Sequence, residues 1–480
     1  MQAWLLARDS HSVAELFGHL KYEGCPGLWH LCLMALGRVF PSPVSMQIFH
    51  LAISTCTVYV VARFSPFSRL QTVLFAFGYY SLFEYTVVCR NYSLAVLLSV
   101  VFCSLLAKRS ESFLSVSTAL FLLCHTCVHG VIIASVAGCM LLCDILFYCG
   151  NIRYKNKHGV RRVVCGFTLI ALGVLSSIVQ MNPPANSGFA REWVTRVDAN
   201  RLASTFGSVA RSFVPIPIPR VNFWNSHISD MSPVGGQIQA SVAGLFLVGA
   251  SFLFWRNAKV LFFFLASTVG LLCFAYVKHS GGMRHEGFLF LAFVMSAWIH
   301  HHKSSSQPYS LCSRTLSKSV TLVLGFHVVG GIIAVTIDYQ YPFSCGKSAA
   351  MFIQGENLQC TRIVSEPDWC ASSMLGQLPD VKAMFLRGNR FGTFVIWDRA
   401  RLEEVDDAHT LRDDVIVARA TAISDDVLLV MNRPLDPYVV GCHEIEVVKE
   451  FVGSIVLDES FYLYRLRRGG LRIPTRLVPE

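Results

Sequence analysis

The chain has 480 residues, a formal net charge of +10, 53% apolar and only 15% charged residues, and a mean hydropathy of +0.48. Such a composition excludes an ordinary soluble enzyme, and apolar runs of spanning length recur, which puts the chain in the integral membrane class. Residues 1–339 hold 25 Lys and Arg against 11 Asp and Glu, while residues 340–480 hold 16 against 20, so the basic excess belongs to the apolar part. There it sets orientation and meets anionic lipid; nucleic acid is not an expected partner.

Residues 1–42 are polar and half-amphipathic, and the run 27–40 ends at Phe40-Pro-Ser-Pro, too short to cross. It reads as a helix lying at the outer interface. Apolar runs then predict about ten spans, near 43–62, 70–88, 92–107, 112–126, 129–149, 164–182, 240–255, 259–277, 286–300 and 319–338. Basic clusters fall in every second loop: Arg63/Arg69, Lys108/Arg109, Arg153 to Arg162, Arg256/Lys259 and Lys303 to Lys318. By the positive-inside rule these loops are cytoplasmic. The alternate segments then face outward: 1–42, the Arg90–Asn91 junction, the His129 turn, the long loop 183–239, the turn from Lys278 to Glu286, and everything after 338. From 340 to 480 short apolar stretches (Phe394-Val-Ile-Trp, Val415-Ile-Val, Val427-Leu-Leu-Val, Ile455-Val-Leu) alternate with polar ones, behind a helix around Lys347 to Ile353. The expected architecture is mostly α: a polytopic transmembrane bundle over 43–339 carrying a small extracytoplasmic α/β domain. Gly346-Lys-Ser lacks the earlier glycine of a P-loop and is rejected as one.

Most of the 17 cysteines lie in apolar runs as small hydrophobes, and no spacing suggests zinc. Cys345, Cys360, Cys370 and Cys442 have the number for two disulfides if their domain is outside. Asp144 and His300-His-His read as structural and interfacial groups.

Ionisable residues at membrane depth are costly unless they face a cavity or a partner. Here they gather at the outer side: Glu84, Arg90, Lys278, Arg284 and His285, with Asp9 and Glu23 in the opening segment. Basic groups around an outer cavity suit a phosphate-bearing lipid, and a nearby carboxylate, Asp9 or Glu84, suits a base that activates a hydroxyl. Trp224-Asn225 in the long loop pairs a flat apolar face with an amide, a surface suited to a sugar ring. An interfacial anchor explains that pair equally well.

Tyr22-Glu-Gly-Cys-Pro-Gly-Leu-Trp-His resembles the Pro-containing stretch that ends the first external loop of C-type (GT-C) membrane glycosyltransferases. These include protein O-mannosyltransferases and aminoarabinose transferases of lipid A. Arg90-Asn-Tyr-Ser-Leu is similar to an Arg-x-Tyr-x-Leu element of the same group. The resemblance covers roughly 1–340 in architecture and these two motifs in residues. It implies a sugar transfer from a polyprenyl-phosphate donor to a glycan, lipid or protein acceptor, at a bacterial inner or plasma membrane, or the endoplasmic reticulum in a eukaryote. Arg90, Lys278, Arg284 and His285 would hold the donor phosphate, while Tyr22, Glu23, Trp224 and Asn225 would face sugar or acceptor. A divalent metal is optional in such a fold, and no ligand set for one is evident. In these enzymes an acidic motif precedes the segment like Gln2-Ala-Trp-Leu-Leu-Ala-Arg. An upstream span ending in Asp or Glu is therefore expected, and a chain without it would be inactive unless Asp9 or Glu84 supplies the base. A transporter or flippase of a lipid-linked or polar solute, and a non-catalytic membrane scaffold, are the alternatives.

Overall fold

The computed structural model describes residues 1–107, 109, 112–148, 157–188, 193–303, 311–403, 411–443 and 445–467. It opens with three short helices, α1 (Gln2–Asp9), α2 (Val13–Leu20) and α3 (Leu28–Val39). Ser12 caps α2 through its hydroxyl, and Trp4, Leu16, Trp29 and Leu33 bury into a cluster of their own. The bundle follows: α4 (Pro43–Phe64), α5 (Arg69–Ala76), α6 (Tyr92–Leu106), α7 (Phe113–Cys124), α8 (Val128–Tyr148), α9 (Lys157–Met181), α10 (Ala199–Phe213), α11 (Gly235–Phe254), α12 (Ala258–Val277), α13 (Met283–Lys303) and α14 (Leu311–Gln340).

Six of these, α4, α8, α9, α11, α12 and α14, are long and apolar enough to cross a membrane. They expose apolar side chains such as Leu51, Leu175, Val248, Phe252 and Ile332, the surface that lipid covers. The remaining four expected spans differ. α6 and α7 have 15 and 12 residues. Every residue of α13 from His285 to Ile299 is buried, so this helix is the axis around which the others pack. The stretch 70–88 is not one helix: α5 stops at Ala76, and Tyr80–Glu84 forms a single π-helical turn. α14 admits this break because a Cβ on its Gly331 would stand 2.6 Å from the Phe77 carbonyl, while one on Gly330 would collide with the Pro215 carbonyl of the long loop. Gly331 thus lets broken backbone press against a helix, and Tyr79, Tyr80 and Phe83 are buried beside it.

The C-terminal part adds α15 (Gly346–Gly355), α16 (Ala371–Leu375), α17 (Ala400–Glu403) and α18 (Asp413–Ile423) to a six-stranded sheet. Its strands are β1 (Arg362–Glu366), β2 (Ala383–Phe385), β3 (Arg390–Gly392), β4 (Asp426–Met431), β5 (Glu446–Phe451) and β6 (Phe461–Arg467), in the order β3-β2-β1-β4-β6-β5. β1 runs parallel to β2 and β4, and β6 antiparallel to β4 and β5. Alternate residues feed two cores: Ile363, Leu428 and Val430 meet α15 and α16, while Val364, Val427 and Leu429 meet α18. The helix expected around 347–353 and the strand at Val427 are present. Val415-Ile-Val is instead helical in α18, where Asp413 and Asp414 favour a helix start and Ile416, Val417 and Ala420 share one buried face. Phe394-Val-Ile-Trp is no strand, because the Gln2 carboxamide occupies the place of a neighbouring strand: it donates to Val395 O (2.8 Å) and accepts from Val395 N (3.0 Å). Ile455-Val-Leu leads into a 3-10 turn. Cys345, Cys360, Cys370 and Cys442 are all unpaired, so the suggested disulfides are absent.

The segments expected to share one side do meet. Tyr22 donates to Asn186, Gly188 N to Trp397 O, and Asn222 to Ser454 O, joining 1–42, 183–239 and the C-terminal domain. At the other end Asp144 pairs with Arg109 (2.7 Å) and Lys259, and Gln71 bonds Ser317 and Thr321.

Candidate functional site

The site begins with the turn that follows the π-helical break. His50, on α4, accepts from the Arg90 N–H through Nε2 (3.2 Å), so its Nδ1–H donates to Thr86 O (3.1 Å). Ser54 donates to Tyr85 O (2.7 Å), and the Asn91 amide to Thr126 O (2.7 Å). These bonds fix the backbone of 85–91 and present the Arg90 side chain. The residue is exposed to solvent. No side-chain hydrogen bond or ion pair holds it among the described residues.

Arg284 lies near enough for the two guanidiniums to repel each other. It sits over the Trp224 ring, 5.4 Å from the centroid, and its Nε has no hydrogen-bond partner. Trp224 in turn donates its indole N–H to both oxygens of Glu84 (3.3 Å each), which also accepts from Tyr79 (3.3 Å). Glu84 feels the charges of Arg284 and Arg90, but no direct ion pair joins them among the described residues. Trp224 thus touches both the Glu84 carboxylate and the Arg284 guanidinium.

Glu23 completes the group. It accepts from Gln2 (2.7 Å), interacts with the charge of Arg90, and is partly open to solvent. Burial pushes its carboxyl up to about 7, against the hydrogen bonds from Gln2 and Trp397 and the charge of Arg90. Glu459, from the loop ahead of β6, is a further charge acting on Arg90.

The other expected site residues are placed differently. His285 accepts from Gly282 N–H at Nδ1 (2.9 Å), so its Nε2–H points at the Tyr92 hydroxyl (2.8 Å); both nitrogens are used. It stacks on His129 at 5.1 Å and orients Tyr92 within the Arg90-Asn-Tyr element. Lys278 lies over Trp193, 5.7 Å from its ring. Asp9 accepts from Arg8 (2.6 and 3.0 Å) and from the Thr393 hydroxyl, which makes it a tether to the C-terminal domain. Tyr22 bonds Asn186 (3.2 Å). Asn225, at φ 63°, accepts from Met283 N (3.1 Å) and caps α13.

Beside Asn225 lie two cavities. One of about 350 Å³ is lined by Arg284, Arg211, Glu286 and Asp230; the other, about 420 Å³, by Trp224, Asn222 and Leu457. In the first, Arg211 grips Glu286 through Nε (3.0 Å to each oxygen) and Nη2 (2.6 Å), and extends through Gln239 to Asp230. This pair carried no sequence signal beyond two charges in apolar surroundings, 75 residues apart. Among the described residues no three His, Cys, Asp or Glu side chains form a metal-binding group. No family model, no curated protein and no solved structure matches the chain.

Proposed function

We propose that the protein is a membrane glycosyltransferase acting on a polyprenyl-phosphate sugar at the outer face of a bacterial inner or plasma membrane, or of its eukaryotic counterpart. The observation that carries this reading is the pair Arg90 and Arg284: two cations whose charges act on one another, neither held in an ion pair among the described residues, with Arg284 on the wall of the cavity beside Asn225. An anion between them relieves the repulsion, and a phosphate fits two guanidiniums bidentately. The membrane setting makes a lipid phosphate the matching donor, as the resemblance to GT-C enzymes implies. In this reading the chain crosses ten times, with 1–42, 183–239 and 340–480 outside.

The chemistry assigns each group a part. An acceptor hydroxyl gives its proton to the Glu23 carboxylate while its oxygen bonds to the anomeric carbon. The bond from that carbon to the phosphate oxygen breaks, its electron pair leaves with the lipid phosphate, and Arg90 and Arg284 stabilise the charge. Inversion at the anomeric carbon follows. Glu84 orients Trp224, and Trp224 seats Arg284. Asp9 and Tyr22 secure the surrounding segments, and Lys278 with Trp193 flanks the entrance.

The test is transfer of radiolabelled sugar from polyprenyl phosphate by the full chain and by Arg90→Ala. Arg90→Ala is expected to lose about 10²–10³-fold, the cost of one group that stabilises developing charge. Transfer unchanged in this variant removes Arg90 from the site, and no transfer by the parent chain defeats the reading.

A further inference from the structure

A third cavity, about 520 Å³, lies wholly within the C-terminal domain. It opens where β1 ends at Glu366, β4 ends at Met431, and Arg387 follows β2. β1 is the strand from which the chain moves first to β2 on one side and later to β4 on the other. A crevice at the carboxyl ends of parallel strands, where the strand order reverses, is where open α/β sheets hold ligands.

The lining narrows the ligand. Glu366 is 2% exposed and uses only Oε1 in its pair with Arg387 (2.7 Å to Nε, 2.6 Å to Nη2). Its Oε2 is buried and has no hydrogen-bond partner, although the cavity is at hand. A buried carboxylate oxygen left bare is costly, so a ligand that reaches it gains affinity. The first βα turn, Glu366-Pro-Asp-Trp, offers a proline and two acids in place of glycines and N–H donors, and it repels phosphate. Asn432, Ser460 and Tyr462 add an amide, a hydroxyl and a phenol, while Trp369 adds an aromatic ring. Arg387 and Arg401 already lie over that ring, 4.7 and 5.2 Å from its centroid. The surface is rich in polar groups of both kinds and low in net charge.

We propose that this crevice is a binding site for a neutral, hydroxyl-rich ligand, a glycan segment of about two sugar units, whose hydroxyl meets Glu366 Oε2. A hydroxyl serves there whether or not the carboxyl is protonated, because it both donates and accepts. Leu457 lines this cavity and also the one beside Trp224, so a glycan held here lies next to the membrane site across one loop.

The experiment titrates the detergent-solubilised full chain with maltose, cellobiose and chitobiose, followed by calorimetry. The expected result is saturable binding of at least one disaccharide. Glu366→Gln, which puts an amide where Oε2 stands, is expected to weaken it about tenfold. Asn432→Ala, outside the ion pair, is expected to weaken it about threefold with an unchanged unfolding midpoint. No saturable binding by any of the three, or equal affinity in both variants, overturns the proposal. Glu23→Gln separates this site from the transferase reading: it is expected to stop transfer and leave disaccharide binding intact. Binding by a chain that transfers nothing overturns the transferase reading alone.

Discussion

Two regions of the molecule treat buried charge in opposite ways. In the C-terminal domain Arg387 meets Glu366 at 2.6 Å and Arg401 meets Asp368 at 2.6 and 2.9 Å, each within contact distance of a tryptophan ring. At the end of the bundle that meets this domain, Glu84 is bonded by an indole and a phenol, while Arg284 lies over the face of that indole. Paired charges hold a structure together because breaking them strands a charge in a poor solvent. Charges kept apart leave their binding capacity for something that arrives later. Arg211 and Glu286, on the wall of the neighbouring cavity, belong with the paired kind.

The sharpest way to break this comparison is at Glu23. Replacement by Gln is expected to lower sugar transfer by about 10²–10⁴-fold, the usual yield of a positioned base, with little change in unfolding temperature. The wild-type pH profile carries the same information. The Glu23 carboxyl binds its proton more tightly than an ordinary Glu and releases it at about 7. Transfer is therefore expected to be low on the acid side and to rise through pH 7, and a profile flat between pH 5 and 8 removes Glu23 as base.

Next comes Glu286→Ala, which leaves Arg211 without its carboxylate. A loss of about 3–5 kcal/mol in stability is expected, read from denaturant unfolding in detergent, and replacing both residues by Met should restore most of it. Were the same substitution to leave stability untouched, Arg211 and Glu286 would belong with the separated charges. Trp224→Phe keeps a ring beneath Arg284 and removes the N–H held by Glu84. Transfer is expected to fall about tenfold with the fold unchanged, as for one hydrogen bond to a charged group. The smallest effect is at Gln2. Gln2→Ala removes both bonds to Val395 and should cost about 1–2 kcal/mol, detected as faster proteolysis within 393–398.

Parts of this arrangement were legible in the sequence. Arg90, Arg284, Glu84 and Trp224 stand at loop–helix junctions that the alternation of basic loops puts on one side, so their grouping follows from charge and hydropathy alone. The membrane character and the β4 strand were equally visible. The break at 76–80 was hidden, because an apolar run reads as a span whether its backbone is continuous or not, and Gly331, which admits it, lies some 250 residues away in α14. Asp9 shows a second limit. The partner of its carboxylate, Thr393, could not be read from the sequence, because that contact spans 384 positions. Glu459 gave no local signal at all. It lies between two strands of a separate domain and reaches Arg90 only through the docking of that domain.

The bond between Gln2 and Val395 also has a consequence in time. Gln2 is synthesised before the backbone it secures, which follows 393 residues later. Until then α1 lacks this partner, and Trp4 and Leu6 are covered from the N-terminal side of the chain alone, by α2, α3, α4 and α6. The C-terminal domain is thus what fastens α1. A ribosome stalled anywhere in α14 would hold a chain whose bundle is inserted while its opening segment is still unanchored, a state that protease accessibility at residues 10–12 during translation would register.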